Sequence, residues 1–139
     1  MSQNHTVLYT AHTITTGGRD GQSHSTDNRL NIKLSLPGSH GTGTNPEQLF
    51  AAGWSACFIG AMGRAAQEVG VRLPADTSVA AEVDLNNNPE EGFFISARLQ
   101  VRLPGLDLVL AQSIADRAHQ LCPYSKATRG NINAVMTAV

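Results

Sequence analysis

The stretch N-P-E-Q-L-F-A-A-G-W-S-A-C-F, residues 45–58, predicts the central helix of the fold. Asn45 can cap a helix, and Pro46 and Glu47 suit its first turn, where an acidic side chain complements the helix dipole. The side chains that fall on one apolar stripe of this helix are Phe50, Trp54, Cys57 and Ala61. This spacing is typical of an amphipathic helix, which we expect over residues 46–69.

Alternating apolar and polar residues predict β-strands on both sides of this helix. The predicted strands cover residues 7–16, 30–36, 79–85, 95–103 and 132–139, with further helices over residues 107–121 and 125–129. The run N-N-N-P, residues 86–89, is expected to form the turn between the third and fourth strands. This order of elements favours an α+β fold in a single domain over residues 1–139.

Composition excludes several classes of protein. Of the 139 residues, 41% are hydrophobic and 15% are charged, which argues against disorder. The formal net charge of -1 leaves no basic excess to neutralise nucleic acid. We identify no apolar run near the roughly 20 residues of a membrane span and no signal peptide at the N-terminus. We therefore expect a cytoplasmic protein with no membrane span and no nucleic-acid partner.

The two cysteines, Cys57 and Cys122, are the main candidates for chemistry. Cytoplasmic thiols are normally reduced, so a permanent structural disulfide is not expected. The pair suits a redox couple, part of a metal site, or one nucleophile with a bystander. Cys57 also lies on an apolar stripe, where a free cysteine commonly serves as a small buried hydrophobe.

Two of these alternatives have weak patterns. His119 and Cys122 form an H-x-x-C pair, but the paired ligand spacing of structural zinc sites occurs nowhere in the sequence. A cysteine acyl-hydrolase would need a histidine base beside Cys57. The histidines at positions 5, 12, 24, 40 and 119 match no recognisable catalytic motif. We expect His119 on a helix surface near the C-terminal end.

A redox cysteine needs a stabilised thiolate, because the thiolate is the attacking species. Arg19, between glycines on a tight loop, could supply the positive charge, although the loop alone favours an ordinary solvated turn residue. Glu47 could hold that arginine by a bidentate pair, or serve only as an acid in the first turn of the helix. On an unbroken helix, Glu47 and Cys57 would lie about 15 Å apart along the axis. They share a site only if the helix breaks or another segment brings Arg19 across. We expect a break at Gly53, with Ser55 capping a fresh helix whose first turn holds Cys57.

Three blocks of sequence carry a family resemblance. They are T-G-G-R-D-G at residues 16–21, G-T-N-P-E-Q-L-F-A-A-G-W-S-A-C-F at residues 43–58, and C-P-Y-S-K-A-T-R-G-N-I at residues 122–132. Together they closely resemble the organic hydroperoxide resistance proteins, the Ohr branch of the Ohr/OsmC family. The match covers almost the whole chain, with the elements in the same order.

The resemblance implies an OsmC/Ohr-like α+β fold with antiparallel sheets around central helices, in an intertwined homodimer with two sites at the subunit interface. It implies a thiol-dependent peroxidase that reduces organic hydroperoxides, including those of fatty acids, to alcohols. Cys57 matches the peroxide-reacting cysteine, and Cys122 matches its resolving partner in a disulfide. Arg19 and Glu47 match the residues that organise the reactive thiolate.

The implied reductant is a dihydrolipoyl-type dithiol, as dihydrolipoamide or carried on a lipoylated protein. No metal or bound cofactor is expected. The alternatives are an OsmC-type peroxidase of broader substrate range, a zinc-binding module or a cysteine acyl-hydrolase.

Phe50, Trp54 and Tyr124 could line an apolar mouth for alkyl tails or form plain core.

Overall fold

A computed structural model describes residues 4–139. Residues 1–3, part of the N-terminus on which the expectation of no signal peptide depends, lie outside the described residues. The chain forms two compact units, Met1–Pro46 and Glu47–Val139. The single domain over residues 1–139 stays a prediction.

The first unit holds a three-stranded antiparallel sheet in the order β1-β2-β3. Its strands are β1 (Thr13–Thr16), β2 (Gln22–Ser25) and β3 (Asn31–Lys33). The outer two strands are shorter than the sequence predicted, and β2 was not predicted. Its residues, Q-S-H-S, are polar throughout and show no alternation, so β2 is defined by its pairing with both neighbours.

In the second unit, helix α1 (Pro46–Glu68) is uninterrupted. It ends in a Schellman motif, in which Gly70 adopts a φ of 73°. The N–H of Val71 donates to the Ala66 carbonyl at 2.9 Å, and the N–H of Gly70 donates to the Gln67 carbonyl at 3.1 Å. The predicted helix and the position of its C-terminal end are confirmed. The predicted break at Gly53 is wrong.

A second sheet has the order β4-β5-β6, formed by β4 (Ser78–Asn88), β5 (Gly92–Arg102) and β6 (Ala134–Ala138). Strands β4 and β5 form a long antiparallel hairpin, and β4 extends to Asn88 through most of the predicted turn. Strand β6 pairs with β5 in parallel, so this sheet is mixed where antiparallel sheets were expected. The cause is the helical crossover between β5 and β6, which returns the chain in the same direction.

That crossover consists of α2 (Leu108–Leu121) and α3 (Pro123–Thr128). The carboxylate of Asp107 caps α2 by accepting from the N–H of Leu110 at 3.4 Å. Cys122 then lies in an extended conformation between the two helices. This agrees with the predicted end of the helix, because a proline disfavours helical geometry in the residue before it.

The core of the second unit lies between α1, β5 and α2. Its large, fully buried side chains include Trp54, Phe58, Met62, Leu99, Val101 and Ile114. By length and composition alone, α1 is also long and apolar enough to cross a membrane. A core helix meets the same criteria, and α1 buries Trp54, Phe58 and Met62 in this core. The α+β class is confirmed.

An ion-pair cluster joins β4 to β5 on the exposed face of the hairpin. Arg98 contacts Asp84 through both terminal nitrogens, at 2.7 and 2.9 Å, and Glu82 through Nε at 3.2 Å. The hydroxyl of Ser96 also donates to Asp84, at 2.7 Å. The Arg98 hydrogen bonds, and then that of Ser96, lower the pKa of Asp84 from 3.8 to about 2.

This shift predicts a specific pH dependence of stability. Because the pKa of Asp84 is lower in the folded state, its contribution is present above pH 3.8 and is lost as the pH falls towards 2. In Asp84→Asn, the free energy of unfolding from urea titrations should fall less steeply between pH 4 and pH 2. Asp76→Asn, in the exposed turn before β4, is the control. Equal slopes for Asp84→Asn and the wild type would contradict the prediction.

Candidate functional site

The two cysteine sulfurs meet in the folded chain. Cys57 and Cys122 are 65 residues apart in sequence, yet the Cys122 thiol lies 3.3 Å from the Cys57 sulfur. Both cysteines are free thiols. A disulfide bond is about 2.05 Å long, so the pair lies in hydrogen-bond contact, close to bonding distance. An oxidant that accepts two electrons could therefore join the two sulfurs after only a small approach, with the loss of both thiol protons.

Different elements hold the two sulfurs, and they expose them to different extents. Cys57 lies near the middle of α1 and is half-buried. Cys122 is 0% exposed, and its backbone is bonded into both helices of the crossover. Its N–H donates to the Ala118 carbonyl at 2.8 Å, and its carbonyl accepts from the N–H of Lys126 at 2.9 Å. Cys122 is therefore tightly held, and Cys57 is the thiol with access to solvent.

Opposing effects act on the Cys57 thiol. Burial, and to a smaller extent the adjacent Cys122 thiol, raise the pKa of Cys57 above its ordinary value. The backbone N–H of Tyr124 donates a hydrogen bond to the Cys57 sulfur and lowers this pKa, but the balance remains upward. On balance, burial therefore disfavours a thiolate at Cys57.

Arg19 lies in the first unit, in the short 3₁₀ helix Gly18–Asp20 between β1 and β2. Gly17 and Gly18 have positive φ values of 74° and 60°. A Cβ on Gly21 would lie 1.8 Å from the Thr16 carbonyl oxygen. The glycines around Arg19 are thus required by the turn, as the sequence indicated. Arg19 is exposed at its tip.

Glu47 occupies the first turn of α1, as predicted. Because α1 is continuous, Glu47 and Cys57 lie about 15 Å apart along its axis, and Ser55 caps no new helix. The helix therefore does not bring them together. Gly53 has a different role from the predicted break, since a Cβ at this position would lie 3.0 Å from the hydroxyl of Tyr124.

The three aromatic residues near the thiols differ in exposure. Phe50 contacts Trp54 and Tyr124, with ring centroids 5.6 and 6.2 Å apart, the second pair edge to face. Trp54 is 0% exposed and donates its indole N–H to the Ser125 hydroxyl at 3.2 Å, so it is a core residue. Tyr124 is 42% exposed. Phe50 and Tyr124 therefore form the apolar surface nearest to solvent.

Sequence reasoning missed two features of this site, the Tyr124 N–H and Ser125. The block C-P-Y-S at residues 122–125 contains the sequence signal from which these two features could have been predicted. Pro123 marks the start of α3, and the backbone N–H groups in the first turn of a helix have no intrahelical carbonyl to bond.

His119 is half-buried on α2, so it is less exposed than predicted. Its Nδ1 atom is buried without a hydrogen-bond partner, and its carbonyl accepts from the Arg129 guanidinium. Burial, followed by the charge of Arg129, lowers the pKa of His119. Across residues 4–139, no group of three or more His, Cys, Asp or Glu side chains could hold a metal ion, so the zinc alternative gains no support.

Comparison with known proteins identifies the family. The model of the OsmC-like protein family matches residues 37–136. The chain is 48% identical over 141 residues to the organic hydroperoxide resistance protein of Xanthomonas axonopodis pv. citri (strain 306), covering 99% of each sequence. The chain belongs to the Ohr branch of the OsmC family. It is also 42% identical over 131 residues to the organic hydroperoxide resistance protein OhrB of Bacillus subtilis (strain 168), covering 91% of this chain and 95% of OhrB.

Solved structures of Ohr proteins share the fold. The crystal structure of Bacillus subtilis OhrB matches with a TM-score of 0.90 and 39% identity, covering 96% of this chain and all of that one (100%). An organic hydroperoxide resistance protein from Legionella pneumophila matches with a TM-score of 0.88 and 39% identity, covering 96% and 98%. These matches confirm the predicted OsmC/Ohr-like fold, and the family supports a role in the detoxification of organic hydroperoxides.

Proposed function

We propose that this Ohr protein is a thiol-dependent peroxidase that acts in the cytoplasm and reduces alkyl and fatty-acid hydroperoxides to alcohols. The observation that supports it most directly is the 3.3 Å contact between the Cys57 and Cys122 sulfurs. Two free thiols at this distance suit a reaction that forms and reopens a disulfide. The half-buried position of Cys57 gives a substrate access to one of them.

In the first step, the Cys57 thiolate attacks the distal oxygen of the hydroperoxide. The S–O bond forms as the O–O bond breaks, and the departing alkoxide takes up a proton and leaves as an alcohol. Cys57 is oxidised to a sulfenic acid. The apolar surface of the half-buried Phe50 and the exposed Tyr124 suits an alkyl chain beside the reacting sulfur.

In the second step, the Cys122 thiol attacks the sulfenic sulfur of Cys57. The S–S bond forms, the S–O bond breaks, and the hydroxyl leaves as water with the Cys122 proton. The 3.3 Å separation means that a small approach of the two sulfurs is sufficient. The disulfide protects Cys57 from irreversible over-oxidation.

In the third step, a dihydrolipoyl-type dithiol, as dihydrolipoamide or on a lipoylated protein, reduces the disulfide by thiolate exchange. One reductant thiolate attacks a protein sulfur, and the second closes the lipoyl disulfide and releases the protein thiols. Cys122 has no exposed surface, so the reductant has access to the Cys57 sulfur. A compact dithiol suits this half-buried target.

We further propose that Arg19 and Glu47 organise the Cys57 thiolate, as the family resemblance implies. Burial raises the pKa of Cys57, so a stable thiolate needs a compensating positive charge. A guanidinium supplies a permanent charge and several donors, and Glu47 can hold it by a bidentate pair.

Arg19→Ala should raise the pKa of the Cys57 thiol and slow its alkylation at pH 7 by about tenfold, because one pKa unit changes the thiolate fraction tenfold. The measurement is the alkylation rate of the Cys57 peptide against pH, followed by mass spectrometry. Arg29→Ala is the control, since Arg29 is exposed on the same unit and contacts Asp27 at 3.8 Å. An unchanged profile in Arg19→Ala would remove Arg19 from the proposal.

The cysteine variants test the mechanism. One equivalent of an alkyl hydroperoxide should remove two free thiols per wild-type chain, and dihydrolipoamide should restore both. Cys57→Ser should abolish turnover, whereas Cys122→Ser should consume one equivalent and then over-oxidise at Cys57. Steady-state turnover by Cys57→Ser would show that the assignment is wrong.

We also propose that the protein is a homodimer with two such sites. Among residues 4–46, only Ser23 and Leu34 are buried. Large apolar side chains of this unit are exposed, namely Val7, Leu8, Tyr9, Ile14 and Leu36. A small sheet without a covered apolar face is marginally stable, so a second copy of the chain is the expected cover.

Sedimentation equilibrium should give twice the 14.7 kDa chain mass at micromolar concentration. Ile14→Asp should shift the distribution towards the monomer, because it places a charge on this apolar face. His40→Asp, in the exposed loop after β3, is the control. A monomer in the wild type would contradict the dimer.

A further inference from the structure

The ring of Tyr124 packs against α1 at Gly53. A Cβ built on Gly53 would lie 3.0 Å from the Tyr124 hydroxyl and 3.4 Å from two ring carbons. Gly60 and Gly63 lie on the same helix, and a Cβ on either meets nothing within 4 Å. Among these three glycines of α1, Gly53 is therefore the one at which another residue occupies the space of a side chain.

A second contact lies directly beside the first. Trp54 donates its indole N–H to the Ser125 hydroxyl at 3.2 Å, and both residues are 0% exposed. Consecutive residues of α1 thus contact consecutive residues of α3. Two adjacent contacts restrain both the distance and the rotation of the α3 start relative to α1.

Both contacts lie next to the thiol pair. Gly53 is one helical turn before Cys57, and Tyr124 is two residues after Cys122. The backbone N–H of Tyr124 donates to the Cys57 sulfur. The Tyr124 N–H, which stabilises a Cys57 thiolate, therefore belongs to the same segment as Cys122, which resolves the Cys57 sulfenic acid. Gly53 and Trp54 of α1 contact this segment.

We propose that Gly53 is a positioning residue for the thiol pair. Its missing side chain lets Tyr124 lie close to α1, which keeps the Tyr124 N–H on the Cys57 sulfur and Cys122 within reach of it. This inference deepens the proposed function, since it takes Cys57 as the reacting thiol.

Gly53→Ala tests the proposal. Displacement of Tyr124 should weaken its N–H bond to Cys57 and slow alkylation of the Cys57 peptide at pH 7 about threefold to tenfold, with the pH profile moved to higher pH. Alanine is the better helix former, so a weaker α1 cannot cause this change. Gly63→Ala is the matched control and should keep the wild-type profile.

The double variant Gly53→Ala/Tyr124→Phe tests the contact itself. It removes the oxygen that lies 3.0 Å from the new methyl group, so the alkylation rate should return to within about twofold of wild type. A double variant that stays as slow as Gly53→Ala would overturn the proposal.

Ser125→Ala provides an independent variant, because it leaves the Trp54 indole without its acceptor. It should move the alkylation profile in the same direction, and it decides the proposal if Gly53→Ala fails to give a native circular dichroism spectrum. Wild-type profiles in both folded variants would overturn the proposal. Alkylation requires no peroxide, so a wild-type protein without hydroperoxide turnover would contradict the proposed function and leave this test intact.

Discussion

The site depends on one backbone constraint, the inability of the residue before Pro123 to continue a helix. Cys122 therefore adopts an extended conformation between α2 and α3, while its N–H and carbonyl remain bonded to the two helices. This arrangement places the Cys122 sulfur 3.3 Å from Cys57, across 65 residues of sequence. The hairpin, the parallel strand β6 and the core all serve to hold α2 and α3 against α1.

Much of the fold was predictable, because its main elements have strong local signals. The helix cap and the apolar stripe define α1 closely, and the pattern over residues 107–121 defines α2. Strand β2 has no such signal, since its polar residues are ordered by pairing with neighbours on both sides. The parallel pairing of β6 also could not be predicted, because alternating apolar and polar residues indicate a strand but not the direction in which it pairs.

The meeting of the two cysteines was predictable from chemistry and resemblance, and its geometry was less so. The roles of Arg19 and Glu47 stay predictions. The break at Gly53 was wrong, because a glycine permits a helix break but also permits close approach, and a sequence does not distinguish the two. The approaching residue, Tyr124, comes from a segment more than 70 residues away, so only the tertiary structure reveals its contact with Gly53.

Because the two sulfurs are buried to different extents, they differ in their accessibility to reagents. A reagent from solvent can reach Cys57, whereas Cys122 is shielded by the surrounding protein, although the two side chains are chemically identical. Electrophiles and oxidants should therefore both react at the Cys57 sulfur. Any small molecule designed to inactivate this protein selectively has a single sulfur as its target, with Phe50 and Tyr124 as the apolar surface beside it.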